Sequence, residues 1–190
     1  MSCILDGITR RRPYGADGSI VNPRKHSPLG MQNRIRIQVV GPDEYGNVVT
    51  KEDKTLDAGN IMATYGMSRL VSLLAGGSMD CSSWIGGMRI GTDNTAAAST
   101  DSRLLASTGS VDLTDASDIT EAGARTLRCV ATFASDNPAG AASIREIGLY
   151  GSSAVTTGCV ARKDLTGAES VNKGASDSIN VSYDVVFTTA

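Results

Sequence analysis

The strongest pattern in this 190-residue chain is an alternation of apolar and polar positions toward its last residues. The alternate apolar side chains are Ile179, Val181, Tyr183, Val185 and Phe187. Asn180, Ser182 and Asp184 lie between them. A period of two places successive side chains on opposite faces of a strand, so this segment predicts a half-buried β-strand. Residues 33–39 alternate in the same way and predict a second strand.

Turn-forming residues divide the rest of the chain into short segments. The turn-rich stretch 41–47 separates residues 35–39 from residues 48–51, and this order predicts a β-hairpin. Further strands are predicted at 84–90, 127–134, 144–150, 158–163 and 178–188. Residues 107–125 are weakly patterned. Short strands separated by Gly, Asn, Asp and Pro predict a mainly β fold, an antiparallel, jelly-roll-like β-sandwich.

One segment changes to helical spacing. The apolar or small residues on its stripe are Ala63, Gly66, Met67, Leu70, Val71 and Leu74. Asp57 or Asn60 can cap the start of such a helix. Gly76 and Gly77 can end it in a left-handed turn. We predict one amphipathic α-helix at about 57–75, with its stripe in the core rather than at a ligand site.

The first 32 residues differ in composition from the rest. They are rich in Gly, Pro, Arg and Ser, and they lack apolar periodicity, which predicts an extended N-terminal arm before a sandwich domain at 33–190. The basic residues of the arm are Arg10, Arg11, Arg12, Arg24 and Lys25. Two interpretations stay open, a solvated arm and an arm that docks on an acidic neighbouring subunit.

Overall charge and cysteine usage limit the classes of partner. The net charge is −2, with both signs mixed along most of the chain, so nucleic acid is not expected as the main partner. No apolar stretch approaches the ~20 residues that cross a bilayer, and no membrane contact is expected. The four cysteines are scattered, at Cys3, Cys81, Cys129 and Cys159. We expect them to be reduced, mostly buried small residues in a cytosol-like compartment.

Candidate chemistry is sparse. The single histidine, His26, lies in the proline-rich arm, which is a poor support for a general base. A carboxylate pair for glycoside cleavage remains conceivable, and the candidates are Glu121, Asp136, Glu146 and Asp164. Sugar-cleaving grooves are usually lined by aromatic residues, and here aromatic residues make up only 4% of the chain.

A calcium loop is a further alternative, at Asp112, Asp115 and Asp118. The glycine and the distal glutamate of a calcium-binding helix-loop-helix are missing, which favours a solvated loop. We therefore predict a chain that is not an enzyme and that has no catalytic residue, no metal site and no cofactor.

Several segments, in this order, resemble small virion structural proteins of tailed bacteriophages. They are IRIQV at 35–39, the helical segment, MRIGTDNTAA at 88–97, IREIGLY at 144–150, CVARK at 159–163 and INVSYDVVF at 179–187. The likeness extends over about residues 33–187. In the IREIGLY segment we expect Ile147 and Leu149 in a core, and a close backbone approach at Gly148.

The resemblance implies a non-catalytic structural subunit, a fibre, collar or adaptor of the tail or neck. It also implies a homo-oligomer, often a trimer, that docks on portal, tail, collar or capsid proteins. Such a protein is made in the host bacterial cytoplasm and ends in the virion. One alternative is a head decoration protein that cements the capsid. Alternatives from other classes are a carbohydrate-binding module and a small glycosidase or lyase.

Overall fold

The computed structural model describes the chain over residues 29–57, 61–74, 84–115, 117–123, 125–152 and 157–189. Within these residues the chain forms twelve β-strands and one α-helix, α1 (Thr64–Leu74). No helix in this part of the chain has the length and apolarity needed to cross a membrane.

Two five-stranded sheets carry most of the structure, and all paired strands are antiparallel. The first sheet holds, in spatial order, β2 (Val48–Asp57), β1 (Leu29–Pro42), β12 (Ser178–Thr189), β7 (Thr126–Phe133) and β6 (Ile119–Gly123). The second holds β3 (Ile61–Met62), β10 (Cys159–Asp164), β9 (Glu146–Tyr150), β4 (Gly87–Gly91) and β5 (Ser107–Asp112). A small third sheet pairs β11 (Val171–Lys173) with β8 (Ala142–Ile144).

The two alternating segments pair with each other in the middle of the first sheet. Ile37 lies opposite Val181, and Ile35 lies opposite Tyr183. All four side chains are buried, while Arg36 on the same strand is exposed. Because one face of each strand is apolar, a slip of one residue would turn every buried side chain toward solvent, which fixes the register.

The main hydrophobic cluster contains buried side chains from both sheets, which is consistent with a sandwich-like fold. The first sheet contributes Ile37 and Val181, and the second contributes Met88 and Ile147, all of them at most 1% exposed. Each such side chain contributes about 1.5–3 kcal/mol on burial. The predicted mainly β, antiparallel fold is confirmed. Consecutive strands such as β1 and β2 or β9 and β10 pair within one sheet.

The strand boundaries differ from expectation where side-chain alternation is weak. β1 begins at Leu29 rather than near residue 33, so the last residues of the predicted arm belong to the sheet. The weakly patterned residues 107–125 contain β5 and β6, which are edge strands that bury few side chains. The predicted strand at 144–150 is interrupted at Arg145, whose amide donates to the Gly91 carbonyl at 2.8 Å.

Several predictions concern residues outside the described part of the chain. They are the arm residues Arg10, Arg11, Arg12, Arg24 and Lys25, the helix-capping residue Asn60, the helix-ending residues Gly76 and Gly77, and His26, Cys3 and Cys81. The other two cysteines, Cys129 and Cys159, are free and buried, as expected. Burial raises the pKa of each thiol to about 12.

The helix predicted at about 57–75 is shorter than expected. Ile61 and Met62 form β3 and pair with β10, so α1 begins only at Thr64. Within its stripe Ala63 and Gly66 are buried, but Met67 is 47% exposed and Val71 is 57% exposed. The expectation that the whole stripe lies in the core is wrong for these two residues, because only one narrow face of α1 packs on β10.

Close packing of α1 depends on Gly66. A Cβ at this position would overlap the backbone of Val160 in β10. The Gly66 carbonyl also accepts a hydrogen bond of 3.2 Å from the buried Trp84 indole nitrogen, Nε1. The absence of a side chain therefore sets the distance between α1 and the second sheet.

We expect Gly66→Ala to destabilise the protein by about 1–3 kcal/mol, because the overlap with rigid backbone outweighs the better helix propensity of alanine. Urea denaturation followed by circular dichroism measures the change. Ser72→Ala, at an exposed position of the same helix, is the matched control and should leave the midpoint nearly unchanged. Equal midpoints for the two variants would contradict the packing argument.

Candidate functional site

The most unusual feature of the second sheet is a buried ionic cluster. The side chain of Arg162 in β10 is 1% exposed and that of Glu146 in β9 is 0% exposed. Arg162 Nη2 lies 2.9 Å from Glu146 Oε2, and its Nη1 lies 2.7 Å from Asp101 Oδ2. Burial alone lowers the pKa of Arg162, but hydrogen bonds to Asp101 and Glu146 outweigh this, so its pKa is raised.

This cluster holds the connection between β4 and β5, residues 92–106, which we call the β4–β5 loop. Arg162 donates from Nη2 to the Thr95 carbonyl at 3.0 Å and from Nη1 to the Ala96 carbonyl at 3.5 Å. Glu146 accepts from the Leu105 amide at 3.1 Å and from the Ala106 amide at 2.7 Å. Both ends of the loop are thus bound by the same ion pair.

Apolar contacts complete the attachment of the loop. Leu104, Tyr150 and Cys159 form a second small hydrophobic cluster, separate from the main core. The Leu104 amide donates to the Tyr150 hydroxyl oxygen. Burial raises the pKa of Tyr150 well above its ordinary value. The β4–β5 loop therefore covers the second sheet with both apolar and ionic contacts.

Two glycines of the sequence motifs make room for this arrangement. A Cβ at Gly91 would overlap the Glu146 carboxylate and the Ala106 carbonyl. A Cβ at Gly148 would lie 3.0 Å from side-chain carbons of Leu104 and Tyr150 and 3.3 Å from the Ala161 carbonyl oxygen, so the nearest neighbours are side chains rather than the expected backbone. The motif residues that carry the resemblance, among them Glu146 and Arg162, are thus the residues that fix this loop.

The structure separates most of the carboxylates considered for glycoside cleavage. Glu121 is exposed on β6, and Asp136 is exposed in the turn after β7. Only Glu146 and Asp164 are neighbours, opposite each other in the β9–β10 ladder. The role of Glu146 was not predictable from the sequence, because its partners in the loop are distant in sequence and are mostly backbone atoms.

The calcium alternative gains no support from the geometry. Asp118 accepts a hydrogen bond of 3.0 Å from the Asp115 amide, and Asp112 and Asp115 are exposed. Over the described residues, no group of three or more His, Cys, Asp or Glu side chains is arranged to hold a metal ion.

A second feature is the turn between β1 and β2, residues 42–47, which we call the hairpin turn. It extends past the neighbouring strand, because β12 begins at Ser178, opposite Val40. Three apolar side chains are exposed in or beside this turn, with Tyr45 at 81%, Val48 at 77% and Val49 at 37%. Exposed apolar groups at a projecting turn are candidates for contact with a partner.

Hydrogen bonds hold the hairpin turn in one conformation. Asp43 Oδ1 accepts from the Tyr45 amide at 2.9 Å and from the Asn47 amide at 2.8 Å. Gly46 has a φ of 84°, a conformation that L side chains rarely adopt. The hydrogen bonds, first of all that from the Asn47 side chain, lower the pKa of Asp43. Tyr45 is therefore presented by a turn that is ordered without a partner.

The base of the hairpin is fixed to the turn before β12. Asp177, whose side chain is 5% exposed, accepts from Lys51 Nζ at 2.7 Å and from the Gly174 amide at 2.9 Å. A Cβ at Gly41 would overlap the Asp177 carboxylate. The hydrogen bond from Lys51 is the main cause that lowers the pKa of Asp177.

A third feature is a shallow apolar groove beside α1, with a volume of about 500 Å³. We call it the α1 groove; its lining residues are Met62, Thr64, Met67, Ser68, Val71 and Ser99. Thr64 donates to the Ser99 carbonyl from its amide at 2.7 Å and from its hydroxyl at 2.9 Å. Because Ser99 belongs to the β4–β5 loop, the ionic cluster also positions one wall of the groove.

The outer face of the first sheet is polar. Arg36 binds Asp53 through two hydrogen bonds, at 3.0 and 2.6 Å, and Arg128 binds Asp184 through two at 2.7 Å. These ion pairs lie across neighbouring strands and are partly exposed, so each contributes little to stability. They differ in this respect from the buried Arg162–Glu146 pair.

No protein-family model, curated protein or solved structure matches this chain.

We expect Glu146→Gln to lower the free energy of unfolding by about 3–5 kcal/mol, because it removes one charge of a buried pair. The Leu105 and Ala106 amides should also exchange their hydrogens faster. Urea denaturation and amide hydrogen exchange measure the two effects. Asp53→Asn breaks an exposed pair and serves as the control, with a nearly unchanged midpoint. A midpoint for Glu146→Gln equal to that of the control would show that the buried pair does not hold the loop.

Acid should weaken the attachment of the hairpin base. The pKa of Asp177 in the folded protein lies below its ordinary value of 3.8. Its carboxylate therefore contributes stability that is fully present above pH 3.8 and is lost as the pH falls through the lowered pKa. The difference in urea midpoint between the wild type and Asp177→Asn should therefore decrease as the pH is lowered from about 3.8 through the folded pKa of Asp177. Lys51→Met should remove the same pH dependence. A difference that stays constant throughout the acid range would exclude this role for Asp177.

Proposed function

We propose that this chain is a non-catalytic structural subunit of a bacteriophage virion, a fibre, collar or adaptor component of the tail or neck. It acts by assembling with copies of itself and by docking on other virion proteins. The observation that carries the proposal is a pair of exposed apolar surfaces, one at the hairpin turn and one at the α1 groove. The backbone is ordered at both. The motif order from residues 33 to 187 supports the choice of virion proteins.

The hydrogen-bonded carboxylates support a structural role. Glu146 is bound by Arg162 and by the Leu105 and Ala106 amides, so its oxygens are engaged in holding the backbone of the β4–β5 loop. Asp43 and Asp177 hold the hairpin turn and its base in the same way. In each case a carboxylate orders a surface segment, and an ordered surface loses less conformational entropy when it binds a partner.

The proposed partners are further copies of this chain, in a homo-oligomer such as a trimer, and portal, tail, collar or capsid proteins. The arm carrying Arg10, Arg11, Arg12, Arg24 and Lys25 docks on an acidic surface of a neighbouring subunit. Several charge-assisted hydrogen bonds at about 1.5–3 kcal/mol each offset the entropy lost when such an arm becomes ordered.

A head decoration protein would use the same two surfaces and differs only in its position in the particle. The carbohydrate-binding alternative loses its main candidate platform, because Trp84 is 5% exposed and its indole nitrogen binds the Gly66 carbonyl. An aromatic platform for a sugar needs an exposed ring face.

Immunogold electron microscopy of particles from the producing culture tests the proposal, with an antibody raised against this chain. Labelling at the tail or neck is the expected result, and labelling over the head surface would favour the decoration role. Unlabelled particles from a culture that makes the protein would exclude a virion role.

The arm is tested by deletion of residues 1–28, which leaves β1 complete because Leu29 already pairs with Thr189. We expect the truncated chain to keep the thermal midpoint of the full chain and to lose incorporation into particles. A matched variant with Arg10, Arg11 and Arg12 changed to Gln keeps the length of the arm and should lose most of the incorporation. Incorporation of the truncated chain at the wild-type level would make the arm a passive tail.

A further inference from the structure

We infer that the hairpin turn of one copy of this chain docks in the α1 groove of a second copy. The inference rests on the proposed self-assembly and identifies the two surfaces that meet. The hairpin turn belongs to the first sheet, whereas the α1 groove lies beside β3 and α1, at the edge of the second sheet. We therefore assign the contact to two different copies.

The hairpin turn has the properties of an anchor. Tyr45 is more exposed than the other large apolar side chains of the described residues, and Val48 follows it closely. Aromatic side chains that a rigid turn presents are frequent binding hot spots, since little entropy is lost when they are buried. Asp43 orders the turn and Asp177 orders the hairpin base, so the free protein already holds the binding conformation.

The α1 groove has matching size and chemistry. Its volume of about 500 Å³ is in the range of pockets that hold small organic molecules, which is enough for a phenol ring with an isopropyl group beside it. Met62 and Met67 provide thioether sulfurs, which make favourable contacts with aromatic rings. Hydroxyl groups of Thr64, Ser68 and Ser99 line the groove and are suitable partners for the Tyr45 hydroxyl.

The charges of the two elements are also complementary. The hairpin turn carries two carboxylates, Asp43 and Glu44, and no cationic side chain. Helix α1 carries one guanidinium, Arg69, and no carboxylate. Arg69 directly follows Ser68 of the groove, and its guanidinium lies over the ring of Tyr65, 5.4 Å from the centroid. This arrangement attracts an acidic turn and disfavours the approach of a second helix of the same charge.

A contact between two different surfaces is heterologous, so each copy donates one hairpin turn and receives another. Such contacts close into a ring when the rotation between copies allows it. A trimer formed in this way would contain three equivalent contacts. The ring places the two exposed apolar surfaces of every copy in an interface.

The test uses two surface variants that should fold normally, because the replaced side chains are exposed. The first, Tyr45→Ser with Val48→Ser, removes the anchor and keeps the groove. The second, Val71→Glu, places a charge in the groove and keeps the anchor. Leu105→Ser changes another exposed apolar residue, 49% exposed and outside both surfaces, and is the matched control.

Sedimentation velocity of the full chain at tens of micromolar gives the readout. We expect the wild type and Leu105→Ser to associate equally, and each surface variant to associate at least about tenfold more weakly. An equimolar mixture of the two surface variants should form a heterodimer, since it retains one intact contact. A Tyr45→Cys chain mixed with a Met67→Cys chain should form an intermolecular disulfide under mild oxidation.

Any other result would contradict the inference, and each result identifies a different alternative. If both surface variants associate as strongly as the wild type, the chain assembles through another surface and the proposed function stands. If each variant is weakened but their mixture stays monomeric, the hairpin turn and the α1 groove do not bind each other. If deletion of residues 1–28 abolishes association while the Tyr45 variant retains it, the arm is the occupant of the interface. If Leu105→Ser weakens association as much as Val71→Glu does, the association is non-specific. If the wild type is monomeric, self-assembly itself is wrong.

Discussion

The β4–β5 loop and the α1 groove beside it depend on one buried ion pair, Arg162–Glu146. Removing two charges from water costs several kcal/mol for each ion, so the pair is tolerated only when further polar groups satisfy it. Those groups are Asp101 and backbone atoms of the β4–β5 loop. The loop in turn is rich in Ala, Ser and Thr and, apart from Leu104, buries little apolar surface of its own. Ion pair and loop therefore stabilise each other.

This constraint reaches one of the two candidate interaction surfaces, the α1 groove. The loop supplies Ser99, which binds Thr64 at the start of α1 and lines the groove. Helix α1 itself lies close to β10 because Gly66 has no side chain. The hairpin turn is ordered independently, by Asp43 and Asp177. Rigid backbone at both surfaces favours binding by preformed shapes, which suits a subunit that must assemble in one geometry.

The sequence predicted the parts of the fold that depend on side-chain periodicity. The alternation at 35–39 and 179–187 correctly indicated β1 and β12, and their pairing forms the centre of the first sheet. Edge strands such as β5 bury few side chains, so no alternation marked them. Met67 and Val71 were wrongly expected in the core. Periodicity identifies the apolar face of a helix, but it does not show how much of that face the neighbouring sheet covers. Glu146 was singled out only as one of four acids, because its loop partners lie about forty residues away and most of them are backbone amides.

The measurement that most directly tests the link between the buried pair and assembly is the sedimentation-equilibrium mass of Glu146→Gln, in conditions where circular dichroism shows it to be folded. The wild type should have a mass that is a multiple of 19.7 kDa. The variant should sediment as a monomer, because the released β4–β5 loop no longer forms its wall of the α1 groove. A folded variant that assembles to the same mass as the wild type would contradict the account.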